Sequence, residues 1–213
     1  MVTYIIVIVM VIILVRRNYG ADRHLALFSA VFVTIQLMEF FAWLSLERKD
    51  RKLNGLVTRL ILIFLWMQPL INSYMAFKGI SGTTKGGQAS KYLMLTCVIV
   101  FGVLLLAAVV TAFGKDTFET VKGPNCHLVW RRNVSDSPGT FMGNFPVMGG
   151  LYIIGLGLPL LFIKPFKKGL ALAFLGLVLM LIAKKFSAKE EAGSWWCWVA
   201  AIFTLAALAL RAR

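Results

Sequence analysis

The sequence predicts an all-α membrane protein, a compact bundle of about seven transmembrane helices. Three observations predict it. Residues of the AVILMFWYC set make up 59% of the 213-residue chain. Only 15% of residues are charged, where a soluble domain needs about a quarter. The apolar residues also come in blocks, with the charges confined to the gaps between them, as a lipid solvent demands.

The apolar blocks cover residues 2–15, 25–46, 56–77, 92–113, 146–163, 169–183 and 195–210, within one transmembrane domain. Runs of about 15–22 residues suit helices that cross a hydrocarbon core about 30 Å thick. The first and sixth are short, so a six-span count stays open beside seven. Spanning strands do not fit, because IIVIVMVIILV and LGLVLMLIA are apolar all round, whereas a barrel strand alternates. Block 1 lacks a basic stretch before it and a small-residue cleavage site after it. Arg16 and Arg17 follow directly, the pattern of an uncleaved signal-anchor. The segment GISGTTKGGQASK (79–91) predicts a flexible connector, without the spacing of a phosphate-binding loop. Residues 114–145 form the longest loop and carry the sequon Asn133-Val134-Ser135.

Net charge is +14, from 23 Lys+Arg against 9 Asp+Glu. The basic residues sit in doublets and triplets at the block ends, where they reach lipid headgroups. The expected partners are membrane lipids, with a small solute or ion as possible cargo, and nucleic acid is not expected. Lys and Arg divide almost equally between the two sets of loops. The charges of the first span lie on its C-terminal flank, which favours N-terminus outside and C-terminus inside.

Within the blocks one acid appears, Glu39, in QLMEFFAW. Burying a carboxylate in a bilayer costs at least about 2.5 kcal/mol, so it must face protein or water, find a partner or stay protonated. Helical spacing sets Gln36 and Trp43 near it on one face. Span 3 offers Gln68 and Asn72 at i, i+4 with Pro69 between them, and the proline frees a carbonyl one turn earlier. Counted from the intervening loop, Glu39 and Gln68 lie about 10 and 13 Å deep, at 1.5 Å per residue. Three readings follow: an interhelical clamp, a proton or cation site, and a catalytic carboxylate.

Two other segments concentrate unusual side chains. GPNCHLVW in the long loop contains Cys126, His127 and Trp130, and GSWWCW opens span 7 with Trp195, Trp196, Cys197 and Trp198. A Trp cluster at a span end is an interfacial anchor. With seven spans, Glu39, Gln68, His127, Trp130 and the Trp cluster approach one membrane face, and a Cys126–Cys197 disulfide could tie the long loop to span 7. No metal or cofactor is expected, since no HxxxH or HExxH spacing occurs and His24 falls on a different loop at the opposite face. Gly155-x-Gly157 reads as close helix packing. The last span lacks a central Lys, which excludes a retinal protein.

On QLMEFFAW, MQPLIN (67–72), CHLVW and GSWWCW, the chain resembles a family of small multispan membrane proteins of algae and large DNA viruses. The resemblance implies a fold and an important polar face, and no reaction. The leading expectation is a small transporter or channel-like protein using Glu39 with Gln68 and Asn72. A structural or partner-anchoring membrane protein is the second, and an intramembrane enzyme acting on lipid through Glu39 and His127 the third.

Overall fold

The computed structural model describes residues 2–81, 87–133, 145–186 and 192–210, and within them all side chains but those of 80–81, 145–146, 184 and 192–200. It is helical: α1 (Val2–Arg17), α2 (Asp22–Glu47), α3 (Arg51–Ser81), α4 (Gln88–Ala112), α5 (Phe145–Gly157) continued by a 3-10 turn (Leu158–Phe162), α6 (Phe166–Phe186) and α7 (Ala192–Ala209). Among the described residues, four helices are long and apolar enough to cross a membrane: α2, α3 over Arg51–Gly79, α4, and α6 over Phe166–Ala183. At 16 and 13 residues, α1 and α5 are shorter.

The helices outrun the apolar blocks. Hydropathy marks where lipid ends, whereas helix is set by caps and propensity. The Asp50 carboxylate accepts from Lys52 N and Leu53 N, both at 3.0 Å, which satisfies the open first turn of α3. The polar run Arg51–Gly55 is therefore helical, and α2 turns into α3 through residues 48–50, with Lys49 in the left-handed region at φ 56°. The connector expected over 79–91 is likewise shortened by α3 and α4, its middle lying outside the described residues.

Helices α2 and α3 form an antiparallel hairpin at the centre, against which the rest are laid. Helix α4 packs on α3; α5 and the 3-10 turn lean on α3; α7 touches α1, α2 and α6. The outward stripe of α4 (Ile99, Val103, Leu106, Val110) is 58–66% exposed, the inside-out pattern of a helix facing lipid. Between apolar helices in lipid the hydrophobic effect contributes little, so close contacts and polar pairs hold them. Gly155 supplies one such close contact. A Cβ there would lie 2.4 Å from Phe101 Cζ and 2.5 Å from Pro69 Cβ, so only glycine lets α5 reach α3 and α4.

The long loop departs from the all-helical expectation. Residues 118–132 fold as an antiparallel hairpin, β1 (Phe118–Lys122) and β2 (Leu128–Arg132), with Thr120 opposite Trp130. Alternation in FETVK and the Gly-Pro-Asn turn residues favour it. Cys126 sits exposed in the turn at φ 59°, and the side chain of Cys197, its expected disulfide partner, lies outside the described residues.

Candidate functional site in the helix bundle

The buried face of α2 carries Asp22, His24, Gln36 and Glu39 as well as apolar residues. His24 and Glu39 are each 6% exposed. Fifteen residues separate them, about 22 Å along the axis. Helix α3 presents Asn54, Thr58, Gln68 and Asn72, all buried. Because the two helices run antiparallel from a tight turn, the start of α2 meets the end of α3.

That register overturns the expected pairing. Asn72 meets His24, with Asn72 Oδ1 2.7 Å from His24 Nε2. The Asn72 amide nitrogen donates to Gly155 O at 3.2 Å and Leu156 O at 2.9 Å. Both amide hydrogens are thereby engaged by α5, so Oδ1 is the atom turned to His24. In the neutral ring, Nε2 must then carry the hydrogen, and Nδ1 is the position open to a proton. Pro159 explains the Gly155 contact: it has no N–H to offer the carbonyl four residues before it, and Asn72 supplies one from another helix.

One turn away Gln68 accepts from the Tyr152 hydroxyl, and Trp66 stacks edge-on against the Tyr152 ring with centroids 6.3 Å apart. Gln68 and Asn72 thus hold α5, and neither faces Glu39. A depth count from Arg59 starts α3 eight residues too late. His24, expected on a loop at the other face, is inside the bundle at that end.

Glu39 and Gln36 are buried towards the opposite end, with Trp43 half-buried one turn on. Between the ends lie Phe28, Phe32 and Phe203, with Phe28 5.7 Å from Phe32 and 5.6 Å from Phe203 by ring centroids. His127 and Trp130 are half-buried on the hairpin, and β2 packs against α7. The side chains of Trp195, Trp196 and Trp198 lie outside the described residues. Ser29 Oγ and Ser73 Oγ are buried without a hydrogen-bond partner among the described residues. No cluster of three metal-binding side chains occurs among them.

A further network sits beyond His24. Arg17 grips Asp22 with Nε on Oδ2 at 2.5 Å and Nη2 on Oδ1 at 2.8 Å, and its Nη1 donates to Leu208 O at 2.7 Å. Lys168 Nζ reaches Asp22 Oδ1 at 3.3 Å. Helices α1, α2 and α6 are fastened at one fully buried carboxylate, and α7 is tied in through Arg17.

At the other end Asn54 behaves like one residue of a neighbouring strand. Its Oδ1 accepts from Thr120 N at 2.7 Å and its Nδ2 donates to Thr120 O at 3.0 Å. Thr58 and Thr120 hydroxyls lie 2.7 Å apart, and Asn54 Nδ2 also donates to Ser45 Oγ at 3.1 Å. The hairpin is thus latched to α2 and α3. Outside the spans, Asn133 and Arg132 hold the Asp116 carboxyl below its ordinary range.

Sequence reasoning sets His24 aside as a loop residue and passes over Asp22, Tyr152 and the Asn54–Thr58–Thr120 set. The i, i+4 spacing of Asn54 and Thr58 is the one signal that could have found them; the other partners are far apart in the chain. No family model, curated protein or solved structure matches the chain.

Proposed function

We propose that the protein is a seven-helix integral membrane protein that moves a proton or small cation through its bundle, with the ionisable face of α2 as the carrier. One observation carries this reading: α2 buries an aspartate, a histidine and a glutamate on a single membrane-length helix. Each charge in lipid costs at least about 2.5 kcal/mol, and such residues mark ion or proton pathways. His24 has a neutral partner in Asn72, so its Nδ1 is a natural landing position. Glu39 is the second station. Phe28, Phe32 and Phe203 form the apolar barrier between them. The buried hydroxyls of Ser29 and Ser73 have hydrogen-bonding capacity to offer along the way.

The seven-traverse count is supported by Arg17. It sits at the C-terminal end of α1 and bonds carbonyls at the C-terminal end of α7. The first and last helices therefore run parallel, as an odd number of crossings requires. We place the N-terminus outside and the C-terminus inside.

The test is flux. Purified protein in liposomes enclosing a pH-sensitive dye is challenged with proton, sodium and potassium gradients. Wild type conducts at least one of these, and Glu39→Gln and His24→Leu each lower the flux about tenfold, or 1.4 kcal/mol in activation. Glu39→Gln keeps the wild-type melting temperature. No flux above empty liposomes under any gradient refutes the reading. A structural membrane protein is the second reading, favoured by Asn72, whose bonds all fasten α3 to α2 and α5. It predicts no flux, and stability losses from Asn72 variants alone.

A further inference from the structure

We propose that the end of the bundle where α1, α2 and α6 meet binds the phosphate of an anionic phospholipid headgroup. The argument starts from its charge. The Gly20 backbone lies against Lys164 O, and Asp22 against Lys168, so the α1–α2 turn and the start of α6 form one surface. Arg16, Arg23, Lys164 and Lys167 are exposed there. Asp22 is the one acid at this end among the described residues, and its carboxylate is saturated. Oδ2 accepts from Arg17 Nε and Tyr19 N, while Oδ1 accepts from Arg17 Nη2 and Lys168 Nζ. A carboxylate offers about four acceptor positions, and all are taken.

Nothing acidic remains for the four rim cations among the described residues. Beneath them half-buried Arg17 and buried Lys168 outnumber Asp22, leaving one positive charge in excess. The first turn of α6 adds the positive end of its helix dipole and the open N–H groups of a helix N-terminus. The opposite end of the bundle differs, since Arg132 is paired with Asp116 there.

The apolar surface below the rim selects a lipid over free phosphate. Phe166, Leu170, Phe174, Leu177 and Leu181 are all exposed and follow i, i+4, i+8, i+11, i+15 down one face of α6. This stripe begins at the basic rim and runs into the bilayer, where an acyl chain lies when its headgroup sits on Lys164 and Lys167. Exposed Tyr19 adds an aromatic ring at the interface. Basic surfaces between helices at a membrane boundary recognise anionic headgroups on this principle.

The experiment titrates the full chain in neutral detergent and follows its melting temperature. The probes are phosphatidylglycerol, phosphatidylcholine and inorganic phosphate, each added to wild type, Lys164→Gln/Lys167→Gln and, as a control from the other end, Lys49→Gln/Lys52→Gln. The expected result is a saturable upward shift with phosphatidylglycerol alone. The Lys164/Lys167 variant, unchanged in melting temperature without lipid, needs at least tenfold more phosphatidylglycerol, and the Lys49/Lys52 control matches wild type. Equal shifts with phosphatidylcholine, an equal response to inorganic phosphate, or equal losses in both variants would each overturn the proposal. Should Lys164→Gln/Lys167→Gln fold poorly, Lys167→Gln alone is read the same way, with native mass spectrometry scoring retained phosphatidylglycerol.

Discussion

Gly155 is a residue at which the bundle tolerates little change. A Cβ there would overlap a ring carbon of Phe101 and the ring of Pro69, both inside a packed interface. Gly155→Ala should lower stability by about 1–3 kcal/mol, the range for overpacking. Gly157→Ala, with nothing within 4 Å of where its Cβ would stand, should have a far smaller effect. Thermal unfolding in detergent compares the two, and equal losses would contradict the close approach. Asn72 is the other sensitive position. Asn72→Leu strands His24 Nε2, Gly155 O and Leu156 O together, with an expected loss of at least about 1–3 kcal/mol. Asn72→Asp keeps an acceptor for His24 but loses both bonds to α5, so it should fall between wild type and Leu. Cys126 points the other way. It is exposed in a left-handed turn, a conformation glycine adopts freely. Cys126→Gly should therefore keep or slightly raise stability under oxidising conditions, and a clear loss would favour the disulfide to Cys197.

At the scale of elements, the hairpin is the part whose attachment is most local. Asn54 gives β1 a donor and an acceptor on one side chain, the two bonds a partner strand would provide. Asn54→Leu should release the hairpin while leaving the helices intact. Hydrogen exchange over 118–132 should rise sharply, with little change in α2 and α4. Unchanged exchange would show that the latch contributes nothing. The Asp116–Arg132 pair responds to pH with a defined sign. Its carboxyl titrates below the ordinary value of 3.8, so the pair contributes above that value and is lost as pH falls through the depressed folded value. Acidification below about pH 4 should lower the protection of the hairpin amides in wild type, measured against the intrinsic exchange rate at each pH. Asp116→Asn should start less protected and show less of that acid response.

For the whole molecule, the prediction concerns sidedness. Arg17, Asp22 and Lys168 gather at one end, and the hairpin with Cys126 lies at the other. A cysteine introduced at exposed Tyr19 and the native Cys126 should react with an impermeant thiol reagent from opposite sides of a sealed vesicle. Labelling of both from one side would remove the traversing bundle, and with it the route from His24 to Glu39. Half-buried Cys97, on α4, should stay unreactive to the same reagent.

The sequence by itself determined helices apolar enough to cross a membrane, the helical class, the neighbouring α2 and α3, and the presence of polar residues on them. Each follows from local composition: a lipid-facing helix cannot hide a low charge density, and a charge-rich gap of a few residues forces adjacent helices together. It did not determine which polar residues meet. Where α3 begins depends on a cap at Asp50 within a charged run that hydropathy treats as loop, and that shift of eight residues carries Asn72 away from Glu39 and towards the His24 end of α2. Gly155, Pro159 and Tyr152 join the pair from eighty residues away, through an approach that the missing Cβ of Gly155 permits. The hairpin rests on Asn54 and Thr58, and the closing contact on Arg17, where two helix ends nearly two hundred residues apart come together. Tertiary structure decided these because hydrogen bonds are directional and reach about 3 Å, so an error of two turns in register changes every partner while leaving composition untouched.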